Sequence, residues 1–236
     1  EQEKIAEILE TVDNTIEKTN KIIEKYKRMK QGLMQELLTK GIDSNWQIRS
    51  EKTHQFKDSP LGRIPTDWEV KKLGEILNLK NGKSPNLIDS GDYVVYGSNG
   101  RIGFTNEYFL DGTFILIGRV GASGEISLIS EKSWASDNCL IGECKSYATP
   151  AFMYYLLTFL HLKKFITQTA QPLLTQSFLT NVSTFLPPLS EQEKIAEILE
   201  TVDNAIEKTD KIIEKYKRMK NGLMQELLTK GIDSNW

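Results

Sequence analysis

Apolar residues in the first 46 positions recur at alternating steps of four and three. They are Ile5, Leu9, Val12, Ile16, Ile23, Tyr26, Leu33 and Leu37, with Thr19 and Lys30 filling the two gaps. This heptad seam predicts a long amphipathic helix that packs as a coiled coil. Residues 191–236 then repeat residues 1–46 with only Thr15/Ala205, Asn20/Asp210 and Gln31/Asn221 changed. The seam returns as Ile195, Leu199, Val202, Ile206, Ile213, Tyr216, Leu223 and Leu227. Thr19/Thr209 and Lys30/Lys220 weaken the seam but disfavour wrong registers. Ile8, Ile22, Met34 and Leu38 lie off it and widen the apolar stripe, which makes them candidate partner contacts.

Capping signals bound each helix. Ser190 with Glu193 reads as a Ser-x-x-Glu capping box after the stop at Pro187-Pro188, and Lys40-Gly41 and Lys230-Gly231 read as C-terminal signals. Helices of about 38–40 residues span about 57–60 Å. If the two ends of the domain between them lie close together, the helices run antiparallel. The first copy starts at Glu1 without its capping serine, so the expectation is a piece of a longer protein cut at a repeat boundary.

Between the repeats the period changes. Residues 47–67 read as a polar connector. Strand-like runs follow at Trp68–Val70, Leu77–Leu79, Tyr93–Tyr96, Phe114–Gly118, Ile126–Ile129 and Cys139–Ile141. Turn signals separate them: Asn81-Gly82, Asn99-Gly100, Asp111-Gly112 and Ser123-Gly124. Pro150 opens a helix running to about Phe165, a short helix is expected near Gln176–Leu179, and a last strand at Val182–Leu186. The fold class is therefore α+β: one mixed domain (47–190) between two long helices (1–46 and 191–236) forming an antiparallel coiled coil.

Composition narrows the function. There is no run of 18 apolar residues and no signal-peptide pattern, so a membrane partner is not expected and the cytoplasm is. Net charge is −2, and residues 47–190 carry 14 basic against 13 acidic side chains. A free-standing nucleic-acid binder has a more basic face than that, so any DNA contact needs a partner to supply much of the phosphate neutralisation. Cys139 and Cys144 lack a matching Cys/His pair and read as reduced thiols, not zinc ligands.

Catalytic chemistry is thin. Gly118–Gly124 is glycine-rich but opens no strand–turn–helix unit, and it reads as tight turns between two strands. His54 and His161 have no nucleophile nearby in sequence, and Asp89 and Asp92 sit in turn-forming sequence. No methyltransferase-type Asn-Pro-Pro-Tyr and no Walker-type loop occurs. No catalytic residue, metal or cofactor is assigned.

What remains is polar turns. Lys80-Asn81-Gly82-Lys83-Ser84 and Gly97-Ser98-Asn99-Gly100-Arg101 combine amide, hydroxyl and cation, and a weaker third stretch contains Gln171 and Gln176. Asn and Gln can bond adenine edges, Arg and Lys guanine, and hydroxyls or backbone amides can hold phosphates. Lys80, Asn81, Lys83, Ser84, Ser98, Asn99, Arg101, Gln171 and Gln176 are thus the candidate DNA contacts. Ordinary solvated turns would carry the same residues.

The chain resembles specificity subunits of type I restriction–modification systems. The resemblance is carried by Phe56-Lys57-Asp58-Ser59-Pro60-Leu61-Gly62-Arg63-Ile64-Pro65 with Trp68, by Val95-Tyr96-Gly97-Ser98-Asn99-Gly100 with Gly103, and by Ile115-Leu116-Ile117-Gly118-Arg119-Val120-Gly121. Trp134-Ala135-Ser136-Asp137-Asn138 and Leu186-Pro187-Pro188-Leu189-Ser190-Glu191-Gln192 extend it, and the repeat after that last segment is its most specific part. It implies a non-catalytic protein that reads one half of a bipartite site on double-stranded DNA. Modification subunits would supply S-adenosylmethionine and methylate adenine, and a restriction subunit would join indirectly. The helix pair would act as a ruler, with Ile8, Ile22, Met34 and Leu38 facing modification-subunit helices. A full family member has two recognition domains, so this chain resembles the second half plus the central repeat. A natural half-subunit that self-associates is an alternative version. The rival class is a coiled-coil scaffold whose central domain binds protein or sugar.

Overall fold

In a computed structural model, residues 1–165 and 174–232 are described. They form two compact units: Glu1–Leu33 with Ile198–Trp236, and Met34–Glu197.

The first unit is a pair of helices, drawn from α1 (Gln2–Lys40) and α5 (Leu189–Lys230). They run antiparallel. Lys30 Nζ meets Asp203 Oδ1 at 2.6 Å near one end, and Lys220 Nζ meets Asp13 Oδ1 at 2.6 Å near the other. Positions 13 and 203, and 30 and 220, correspond in the two repeats, so the ion pairs are images of one another about a local two-fold axis. Val12, Ile23, Val202, Ile213 and Leu227 are buried on the seam. Its polar members are satisfied: Lys30 and Lys220 by those aspartates, and Thr19 and Thr209 by donating to Thr15 O and Ala205 O, each at 2.7 Å. Polar seam residues met in only one register specify that register.

The first strands of the second unit form a hairpin of β1 (Phe56–Ser59) and β2 (Gly62–Pro65), where a polar connector was expected. Gly62 supplies the positive φ of the turn. β3 (Glu69–Lys72) pairs antiparallel with β11 (Ser183–Leu186), followed by a short helix α2 (Leu73–Ile76). A four-stranded antiparallel sheet has the order β4 (Leu77–Asn81), β10 (Cys139–Cys144), β7 (Phe114–Gly118), β8 (Ile126–Ile129). A three-stranded sheet is ordered β6 (Gly100–Thr105), β5 (Tyr93–Gly97), β9 (Ser133–Ala135), with β5 and β9 parallel.

Both faces of the four-stranded sheet are covered, which explains why β7 reads as a continuous apolar run instead of an alternating one. Helix α3 (Pro150–Phe159) packs against β7, β8 and β10. On β7 and β10, Leu116, Cys139 and Ile141 join a cluster with Leu110, Ile129 and Ala135, against which Tyr96, Phe109 and Phe114 pack. Thr149 caps α3 by accepting from Phe152 N, with Pro150 in the first turn. The expected run to Phe165 breaks at His161, whose φ is +48°, and a single 3-10 turn (Leu162–Phe165) follows. Helix α4 (Gln176–Asn181) lies beside α2.

The capping box expected at Ser190 is not formed. Helix α5 starts at Leu189, placing exposed Ser190 inside the first turn, and Glu191 and Gln192 turn inward. Gln192 accepts from Thr149 N at 3.0 Å and donates to the carbonyls of Tyr147 and Pro187. Glu191 accepts four hydrogen bonds. They come from Ile42 N (2.8 Å), Arg49 Nη1 (2.7 Å), Arg49 Nη2 (3.1 Å) and the Trp68 indole (3.1 Å). Gly41 has φ +65°, and a Cβ there would overlap the Glu191 carboxylate, Arg49 and the Trp68 ring, so only glycine fits. Within the helix pair the same repeat position behaves more simply: Glu1 accepts from Ile232 N at 2.9 Å beside Gly231.

Candidate nucleic-acid interface

The polar turns sit at one end of the two sheets and are bonded into a continuous rim. As β4 ends, Gly82 N donates to Cys139 O (3.0 Å) and Lys83 N to Ala135 O (2.9 Å). A Cβ at Gly82 would overlap the carbonyl oxygens of Ala135 and Ser136, so this approach requires glycine. The Trp134 indole donates to Lys83 O at 2.8 Å, and Ser84 Oγ donates to Asp137 Oδ2 at 3.0 Å. Ser136 N then reaches Tyr96 O at 2.8 Å, tying this turn to the two-residue hairpin loop Ser98-Asn99 between β5 and β6. The backbone of Gly118 passes against Ser98 O, and Arg119 N donates to Asn138 O at 2.8 Å. Four segments far apart in sequence thus share one edge.

Lys80, Asn81, Lys83, Ser84, Asn99 and Arg101 are exposed there, and Ser98 is half-buried. Their charges are partly engaged. Lys80 Nζ lies 3.3 Å from Glu143, Lys83 Nζ lies 4.7 Å from the Phe109 ring centre, and the Arg101 guanidinium lies 5.4 Å from that of Phe104. A recess of about 260 Å³ opens between Lys80, Lys83, Phe109, Phe114 and Glu143. Gln176 has a fold role: its side-chain amide donates to Leu79 O at 2.8 Å and pins α4 to β4. Gln171 lies outside the described residues. Sequence reasoning used 134–138 for the family resemblance but did not place the turn 135–138 among the DNA contacts, because its bonds to residues 82–84 bridge about fifty positions that no local pattern connects.

The partner-facing stripe needs one correction. Ile22 is 47% exposed and Ile8 and Met34 are half-buried, but Leu38 is fully buried in the central unit and offers nothing to a partner. Its repeat mate Leu228 is 64% exposed. Met29, Ile212 and Met219 join Ile22 as exposed apolar residues of the helix pair. Because the local axis lies perpendicular to the plane of two antiparallel helices, Ile22/Met29 and Ile212/Met219 share one broad face.

Other chemistry is sparse. Burial pushes the Cys139 thiol up to about 11 and the Cys144 thiol up to about 12, which keeps both protonated at neutral pH. Among the described residues no group of three His, Cys, Asp or Glu could hold a metal, and no helix is long and apolar enough to cross a membrane. His54 Nε2 lies 3.5 Å from Asp43, and His161 is exposed.

Comparison with known proteins accords with this architecture. The family described as "Type I restriction modification DNA specificity domain" matches residues 65–217. The chain is 31% identical over 260 residues to the MjaVIII specificity subunit of Methanocaldococcus jannaschii, covering 97% of this chain and 59% of that protein. It is 26% identical over 166 residues to the Escherichia coli EcoprrI specificity subunit, covering 66% and 41%. Its fold matches the crystal structure of a type I S subunit from M. genitalium with TM-score 0.72 at 19% identity, over 96% of this chain and 60% of that one. For the HsdS subunit of Thermoanaerobacter tengcongensis the values are 0.61 and 15%, over 98% and 57%. The chain spans less than two thirds of the length of each of these proteins. The match over residues 65–217, more than half of the chain, makes it a member of the type I restriction–modification DNA specificity family.

Proposed function

We propose that the chain reads one half of a two-part double-stranded DNA site and positions modification subunits on it, without catalysing a reaction itself. The observation that carries this reading is the rim of turns 80–84, 97–101 and 135–138, locked by backbone hydrogen bonds and presenting amide, hydroxyl and cation. Base edges are recognised by such groups when they are held rigidly, and phosphates by the lysines around them. Asn81, Asn99 and Arg101 are the base readers; Lys80, Lys83, Ser84 and Ser98 position the backbone. Gln176 supports β4 beneath them.

The weak net charge fits a protein that binds DNA inside a complex, with modification subunits supplying most of the phosphate neutralisation. Ile8, Ile22 and Met34, with Met29, Ile212 and Met219, are the surface offered to those subunits, and a restriction subunit joins through them. A second copy of the chain competes for the same stripe. The setting is the cytoplasm, where modification subunits and DNA meet.

The test is methyl transfer and DNA affinity with purified chain, modification subunit, and both. Sequence-specific methylation should require both. In the complex, Arg101→Ala should cost about 1–3 kcal/mol on cognate DNA and relax one position of the site. Lys80→Ala should weaken every sequence alike and lower the salt slope by about 1. Glu143→Gln should free Lys80 and raise affinity. Methylation by the modification subunit alone at the same sites, or by this chain alone, refutes the assignment. A chain that assembles yet leaves DNA binding unchanged supports a scaffold instead.

A further inference from the structure

Arg119 opens the glycine-rich turn between β7 and β8, and its main chain is held from three sides. Its N–H donates to Asn138 O at 2.8 Å, and its carbonyl accepts from Leu174 N at 3.2 Å and from Ser123 Oγ at 2.7 Å. Gly118, just before it, could not carry a Cβ without striking Ala122 O and Ser98 O, and Gly121 and Gly124 take φ of +75° and +82°. So constrained a turn holds its side chain in place before anything binds.

The side chain itself is unmatched. The residue is half-buried, its Nε is closed to solvent without a hydrogen-bond partner, and no ion pair reaches the guanidinium among the described residues. The other cations of this end are engaged: Lys80 with Glu143, Lys83 on the Phe109 ring, Arg101 on the Phe104 ring and Lys163 with Glu125. Arginine cannot shed its proton to escape the cost, so the closed Nε–H is a standing penalty that nothing in the described fold offsets. The carboxylates of this end are also engaged: Asp137 accepts from Ser84, and Glu125 pairs with Lys163.

We infer that Arg119 is a further DNA-contacting residue, fixed at the junction of the 97–101 loop and the 135–138 turn, whose Nη donors, unpaired among the described residues and not closed off as Nε is, take their acceptor from bound DNA. The inference rests on the DNA-reading assignment. Its location argues for DNA specifically: Arg119 is bonded to Asn138 and follows Gly118, which packs on Ser98, so a duplex lying across both segments passes over it. A planar fork of donors suits either a phosphate or the O6/N7 edge of guanine.

The experiment compares wild type, Arg119→Met and Arg119→Lys in the complete complex with its modification subunits, on the site identified by mapping methylated adenines. Arg119→Met keeps the length of the stem, and its melting temperature should equal or exceed that of wild type because the unmatched donor is gone. Its affinity for cognate DNA should fall about 5- to 150-fold. Arg119→Lys should recover only part of that, since an ammonium cannot reproduce the fork. A phosphate contact lowers the salt slope by about 1 on all sequences; a guanine contact leaves one base pair of the site unread. The inference is overturned if both variants bind with wild-type affinity and specificity. It is also overturned if affinity falls only in step with melting temperature and lysine restores both, which marks a structural arginine. Wild type that fails to discriminate DNA sequences sinks the DNA-reading assignment; discriminating wild type with indifferent variants sinks only this inference.

Discussion

Replacing Glu191 by alanine removes a carboxylate whose side chain is 7% exposed and which accepts four hydrogen bonds, two from an Arg49 side chain that is 11% exposed. Hydrogen bonds to a charged group contribute roughly 1.5–3 kcal/mol each, but they are not additive around one carboxylate. Arg49 also keeps Asp67 at 2.9 Å, a partner whose side chain is 48% exposed and well screened. Loss of one partner of a buried pair is the better guide, so the expected destabilisation is about 3–4 kcal/mol. In urea, with a slope of about 2 kcal/mol per molar, the midpoint should drop by roughly 1.5–2 M. Tryptophan fluorescence is the assay, because the Trp68 indole donates directly to Glu191. The internal control is Glu1→Ala, the same position of the repeat. Glu1 is exposed, and among the described residues its carboxylate accepts from Ile232 N alone, so its loss should stay within about 0.5 kcal/mol. A cycle with Arg49→Ala should return a coupling of about 2 kcal/mol, with the double variant less damaged than the two singles summed. A Glu191→Ala cost below about 1 kcal/mol, or strict additivity with Arg49→Ala, refutes the reasoning.

Two further outcomes follow from the geometry. Gly41→Ala should cost at least about 2 kcal/mol, through φ +65° and overlap with Glu191, Arg49 and Trp68, whereas Gly32→Ala, in open space within α1, should gain about 0.5–1 kcal/mol; urea midpoints of the two variants decide. Asp203→Lys should weaken the helix pair by about 1 kcal/mol at low salt and less at high salt, since Lys30 is 21% and Asp203 32% exposed, and Lys30→Asp in the same chain should restore the loss. Melting followed by circular dichroism at two salt concentrations checks that pair.

Much of the secondary structure was legible because its signals are local. The heptad seam, the glycine stops after Lys40 and Lys230, and the apolar runs of β4, β5, β7, β8 and β10 each lie within a few residues. The strands that escaped are made by pairing. Phe56–Ser59 and Gly62–Pro65 are polar and short, and become a hairpin only through each other, with Phe56 opposite Pro65 and Ser59 opposite Gly62. Gly100–Thr105 carries two glycines that lower strand propensity, yet folds onto Tyr93–Gly97 through the Ser98-Asn99 turn. The rim of turns was legible as polar segments, but its closure by Asp137, Asn138 and Arg119 depends on bonds across long separations.

The repeats separate the two kinds of information most cleanly. Near-identical sequence makes two helices of one seam, and sequence alone determined that much; the antiparallel register is marked by the Lys30–Asp203 and Lys220–Asp13 pairs that only the folded pair brings together. Leu38 is fully buried while Leu228 is 64% exposed, and Glu191 gathers Arg49, Trp68 and Ile42 while the Glu1 carboxylate, among the described residues, holds one backbone amide. Only the tertiary structure decided those fates. Helix propensity and heptad phase travel with the chain, whereas burial and hydrogen-bond partners depend on what is packed against it.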